Sequence, residues 1–409
     1  MKRKTFIIAA AVLLLGCIGT LQAFTALEKE DPQEIRGIIV DEHDSIWYET
    51  QQRLWLQKAE ANPTDEHAWQ QAFEAARYAD MLAEDWGRTE RKQAILDKMN
   101  ENIPNSFTYN LCMYMTEIAV RGGNPDPYAK QALQLMPENI ARKDAEVLIS
   151  YLWMNGKTFA KSTKPNAEQQ QLTELVKKLY STNAYPSYLL RYTYNSLQGM
   201  DENAIYFVNG DVSCYTSLII QQAINLHTDK IIVPVSFLYV ETYRKALCDY
   251  LGIKDYETKK EYTAMDDYFQ DILEYIIRNS KRPAYFFPTG SYPETESFKK
   301  NLYNEGLVFK YSTHRYDNMA VAQRNVEERY NLRYLTEPNF VSEEQWKGSE
   351  RIQLNYIVML APVVKSYKES GDTLHANQLT RSLTSAVAQT SLPDEEKVKY
   401  INLLGDKQK

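Results

Sequence analysis

Asn209-Gly210-Asp211 joins an apolar run to an amphipathic one, and a carboxylate at such a junction can hold a sugar hydroxyl or a metal ion. Thr228-Asp229 stands just ahead of a second apolar run and is the other candidate for ligand contact. Each has a simpler reading. Asp211 or Ser213 is suited to cap the helix that follows, and capping is the expected role; Thr228-Asp229 suits a turn. His227 lies near Asp229, but residues two apart need not point together. Asp266, Asp267 and Asp271 fall on a charged, tyrosine-rich helix and read as a solvated face, while Glu294 and Glu296 suit a helix start. Ser217 and Ser236 lack the G-x-S-x-G signature. No catalytic constellation emerges. The turn has neither glycine-rich phosphate-binding pattern, and His43, His67, His227, His314 and His375 are scattered with no H-E-x-x-H, so no cofactor or metal is expected.

The surrounding elements must position these groups. Residues 203–241 read as strand (204–208), acidic turn, helix (215–226) and strand (231–238), a βαβ unit. Further strands at 283–288 and 307–312 alternate with helices at 265–278 and 294–303, which predicts a small parallel sheet of three or four strands covered on both faces. Earlier, Trp47, Leu54, Trp55, Ala59, Trp69, Phe73, Ala76 and Tyr78 recur at helical spacing around the turn Asn62-Pro63-Thr64-Asp65. A helical hairpin follows. A second spans 107–136, and Ala132-Leu133 before Pro137 resembles the close of a tetratricopeptide repeat. Leu360, Val363, Tyr367, Gly371 and Ala376 fit such a repeat better. The expected fold is α/β plus α, a small parallel-sheet Rossmann-like domain flanked by tetratricopeptide-like helical hairpins. Its divisions are a leader (1–26), a helical domain (27–165), a helical boundary region (166–199), the α/β domain (200–320) and a C-terminal helical region (321–409), with Lys161-Ser162-Thr163-Lys164-Pro165-Asn166 as linker.

The strand, the Asn209-Gly210-Asp211 turn, the aromatic-bearing helix after it and Thr228-Asp229 before the next strand resemble the soluble C-terminal part of an uncharacterised family of multi-spanning membrane proteins. That family is common in Bacteroidetes and is related to protein O-mannosyltransferases. The likeness runs more loosely through Arg282-Pro283-Ala284-Tyr285-Phe286-Phe287 and Glu305-Gly306-Leu307, about half of the chain. Ser213 replaces a second acidic residue of the family's turn, and the sequence has no second hydrophobic span. The resemblance therefore implies a detached accessory domain, with a glycan as the ligand class it brings to mind.

Apolar residues make up 44% of the 409 and charged residues 25%, an ordinary folded composition with an unusual 30 tyrosines. Net charge is −7, or −10 without Lys2, Arg3 and Lys4, which excludes nucleic acid as an expected partner. Those three bases precede an uncharged run over residues 5–26, an export signal. Three fates compete: cleavage after Ala23, lipidation at Cys17 within Leu14-Leu15-Gly16-Cys17, or retention as an anchor. Each places the body in the cell envelope, on the periplasmic side of a membrane. Cys112, Cys214 and Cys248 remain, read as small buried hydrophobes, with a Cys214–Cys248 bond as the alternative. The expected function is an envelope-anchored accessory or scaffold protein that binds a protein partner through its helices. A sugar-binding or glycan-related role at Asn209-Gly210-Asp211 is the alternative.

Overall fold

The computed structural model describes residues 31–405, except 86, 88, 121, 160–164, 259–261, 263, 289–292, 337–345 and 347–350. The leader and Cys17 lie outside the described residues. The chain forms two compact units, one of residues 31–36 and 43–138, the other of 37–42 and 139 onward. The division at 138 precedes the polar 161–166 segment, because the helix Arg142–Met154 packs on Ala167–Ser181 and Glu241–Leu251 in the second unit.

In the first unit the helices Ser45–Ala61 and Glu66–Leu82 form a hairpin closed by Leu54, Trp55, Ala59, Trp69, Ala72, Phe73 and Ala76. Asp44 and Asp65 cap them, accepting from the Trp47 and Ala68 N–H groups at 2.8 and 3.0 Å. Helices Phe107–Ile118 and Asp126–Leu135 form a second pair, the first capped by Ser106. The extended residues before the first hairpin are pinned to it. Gln51 and Gln71 accept from the backbone N–H groups of Gln33 and Ile35, each at 2.6 Å.

The second unit is mostly helical around one five-stranded mixed sheet, ordered β2-β1-β3-β5-β4. The strands are β1 (Ile205–Val208), β2 (Ile231–Pro234), β3 (Ala284–Phe286), β4 (Leu302–Asn304) and β5 (Phe309–Tyr311). β1 lies parallel to both β2 and β3, and all four of its residues are buried, as a central strand covered on two faces requires. The sheet is mixed and not all-parallel as expected. β5 runs antiparallel to β3 and to β4, and the β4–β5 pair is a hairpin because residues 305–308 are too few to carry a crossover.

Three further readings change. The strand expected over 231–238 stops at Pro234, which cannot donate to a ladder, and Val235–Tyr239 turns into a 3₁₀ helix. The helix expected over 294–303 is a 3₁₀ stretch, Pro293–Asn301, followed by β4. The helix expected over 215–226 starts at Asp211 and, after Leu218, widens into a π turn at Ile219–Ala223. Gln221 braces that turn by donating to the carbonyls of His227 and Lys230 at 2.8 and 2.9 Å. At the C-terminal end, Arg351–Ser370 and Thr373–Ala388 form a hairpin through Gly371, with Leu360, Val363, Tyr367 and Ala376 buried. Among the described residues no helix is long and apolar enough to cross a membrane.

Candidate functional site

Asn209-Gly210-Asp211 lies at the carboxyl end of β1. From β1 the chain turns to β2 on one side, then crosses to β3 on the other, so the β1 and β3 ends flank a topological switch point. Open sheets bind ligands in the crevice that such a reversal leaves. Gly210 itself is the helix cap, at φ 91°, ψ 147°, a conformation that L side chains rarely adopt, and the space its Cβ would enter is open to 4 Å. A glycine cap supplies no side-chain acceptor. The capping role expected of Asp211 or Ser213 is thus not what the geometry shows. Asp211 is instead the first helical residue and exposed, where its charge suits the positive end of the helix. The Ser213 hydroxyl donates backward to the carbonyls of Asn209 and Gly210 at 3.1 and 3.0 Å, tying the turn to the helix.

Behind the turn lies a buried polar cluster. Arg142 and Glu146 pair one helical turn apart at 2.7 Å, with side chains only 7% and 10% exposed. The Tyr185 hydroxyl donates to the same Glu146 oxygen, and the Tyr215 hydroxyl donates to the Glu146 carbonyl at 3.1 Å. Ser150 Oγ lies 2.6 Å from the Tyr215 hydroxyl and, with that proton committed to the carbonyl, is the donor. Arg142 sits 4.8 Å over the Trp346 ring, which also meets Tyr185 at 5.1 Å. Burial pushes the Glu146 carboxyl up against the pull of Arg142 and the Tyr185 hydroxyl, and the charge on Asp211 adds to the rise. Tyr185 and Tyr215 are held well above the ordinary phenol range, first by burial, so both stay protonated donors.

Thr228-Asp229 is placed elsewhere. Both precede β2, at its amino end, whereas Asn209-Gly210-Asp211 follows β1, so the parallel pairing puts the two sets at opposite ends of the same strands. Asp229 accepts from the Asn203 N–H at 2.9 Å and from Lys230 at 2.6 Å, which clamps the starts of β1 and β2 together. Although burial pushes its carboxyl up, the Lys230 and Asn203 hydrogen bonds outweigh that and hold it below the usual range. Thr228 is exposed beside this clamp. His227 stacks obliquely against Tyr194 at 5.3 Å, and burial, then Lys230, keeps its imidazole below the ordinary value.

Cys112, Cys214 and Cys248 are buried thiols outside any disulfide, so the Cys214–Cys248 bond is not formed. Burial pushes the Cys248 thiol up to about 11, and Cys214 higher still, which removes the thiolate that a nucleophile needs. Among the described residues no group of three or more His, Cys, Asp or Glu side chains is placed to hold a metal ion. The turn therefore offers a carboxylate beside helix-start N–H groups, with a second carboxyl screened behind it. An acceptor next to donors suits adjacent hydroxyls, and the carboxylate repels phosphate. Comparison with known protein families, curated proteins and solved structures finds no match to this chain.

Proposed function

We propose that this is an exported, envelope-anchored accessory protein whose α/β body captures a hydroxyl-bearing ligand, of the carbohydrate class, at Asn209-Gly210-Asp211. The place of the turn carries this reading: Asp211 stands exposed at the carboxyl end of β1, beside the switch point between β1 and β3 where open sheets take ligands. The likeness to the O-mannosyltransferase-related family supports the same ligand class, and the β1-helix-β2 unit gives it a Rossmann-like half-site. Binding is tested by titrating the purified protein with neutral oligosaccharides, including mannosides, before and after substitution of Asp211.

A second reading, docking of an envelope protein on tetratricopeptide-like helix pairs, is favoured by one observation. The terminal helix Asp394–Ile401 buries none of its own residues and, with the residues after it, exposes Val398 (54%), Ile401 (36%) and Leu403 (52%).

Anchoring is expected to depend on Cys17. Fractionation of cells carrying Cys17→Ala should release a protein that is membrane-bound in the wild type. A variant that stays bound with its leader uncleaved would identify an apolar anchor in place of the lipid, and a cytoplasmic wild type would refute export.

A further inference from the structure

Away from the turn, residues 254–257 and the helix Met265–Ser280 enclose a cleft of about 440 Å³, within the size range of small-molecule sites. Asp271 and Tyr275, one helical turn apart, share the face that lines it. Tyr256 and Tyr262 complete the wall, and all three tyrosines are half-buried.

What the cleft offers follows from where its hydroxyls and charges are already engaged. The Tyr256 and Tyr262 hydroxyls bond each other, Tyr262 donates to Asp271 at 2.9 Å, and Tyr275 donates to the Lys254 carbonyl at 2.7 Å. Of the tyrosines, ring surface is what remains for a ligand. Lys254 pairs with Glu257 at 3.1 Å and Arg244 with Asp255 at 3.2 Å, so most of the lining charge is matched within the protein. The rings also touch. Tyr256 to Tyr275 and Tyr262 to Tyr268 are 5.4 and 5.3 Å between centroids, so the rings pack on one another.

We infer that this cleft is a second carbohydrate-binding site, one that takes the apolar face of a neutral pyranose against the tyrosine wall and its hydroxyls on the carboxylates and Lys254 at the rim. Stacking removes apolar area from water on both partners, and the rim supplies acceptors and donors of the kind a sugar needs. This extends the carbohydrate reading of the turn but stands on separate residues.

The test is calorimetric titration of the whole exported protein with neutral hexasaccharides of the malto, cello and manno series, and with tetramethylammonium. Two binding components are expected, one absent in Asp211→Asn and one that persists in that variant and is about tenfold or more weaker in Tyr256→Ala. Asp271→Asn, which keeps the packing, should weaken it in the same direction and serves if Tyr256→Ala does not fold. A single component, lost in Asp211→Asn, would assign binding to the turn alone and overturn the cleft. Absence of binding by every series, indifference to both cleft substitutions, or preference for tetramethylammonium would overturn it too.

Discussion

Arg142→Met is expected to destabilise the second unit by about 3–5 kcal/mol at neutral pH, the range for a buried pair that loses one partner, and to lower its melting temperature by roughly 6–20 °C. Methionine keeps most of the packing volume but leaves Glu146 buried without its cation. Even with Arg142 present, burial holds the Glu146 carboxyl above the ordinary glutamate value. A raised carboxyl binds its proton more tightly folded than unfolded, so stability falls as pH rises from about 4.3, the unfolded value, to the folded value, and is flat beyond it. Removing Arg142 lifts the folded value further and widens that window. The deficit of Arg142→Met should therefore shrink as pH drops toward 4.3. Arg142→Met combined with Glu146→Leu should recover most of the loss and abolish this part of the pH dependence. Denaturant melts at several pH values check it, and a loss below about 1 kcal/mol at neutral pH would show that the pair is not a buried unit.

Gly306→Ala should cost about 2–6 kcal/mol, the sum of positive-φ strain and overpacking. Gly306 has φ 109°, and a Cβ there would lie 2.5 Å from the Tyr330 hydroxyl. Tyr330 cannot easily give way. Its hydroxyl accepts from Leu307 N at 3.0 Å, and Gly199 confines it from the other ring edge, where an added Cβ would come within 2.6 Å of the hydroxyl and 3.0 Å of the ring. Gly252 is the control, at φ 71° with nothing within 4 Å, so Gly252→Ala meets strain without a clash. Thermal melts should rank Gly306→Ala well below Gly252→Ala. Equal losses would mean that backbone strain alone decides.

The sequence displays β1 and its turn plainly, since four apolar residues followed by Asn-Gly-Asp leave little other reading. β4 is another matter. Leu302, Tyr303 and Asn304 are three half-exposed residues with no room for a period, and pairing with β5 alone makes them a strand. The mixed sheet was hidden with it, since the four-residue link after Asn304 reads as a hairpin only once β4 is recognised. Which residue caps the helix after β1 was not, because Gly210 and Asp211 differ by one position, within the ordinary uncertainty of a helix end. Arg142 and Glu146 were visible only as a pair one turn apart, a pattern usually solvated. Their burial is set by Tyr185 and Trp346, distant in sequence, and no local signal carries that information.

The claim that Asn209-Gly210-Asp211 captures a ligand is tested most directly by Asp211→Asn and Asp211→Ala together, measured for oligosaccharide binding and for melting temperature in the same preparations. Gly210 is the cap and Asp211 is an exposed first-turn residue. Both substitutions should alter stability by no more than about 1 kcal/mol, the scale of a charge at a helix start, while binding at the turn is lost in both. Undiminished binding in Asp211→Asn, or a melting temperature lowered by Ala but spared by Asn, would contradict the account and return Asp211 to the role of a helix cap.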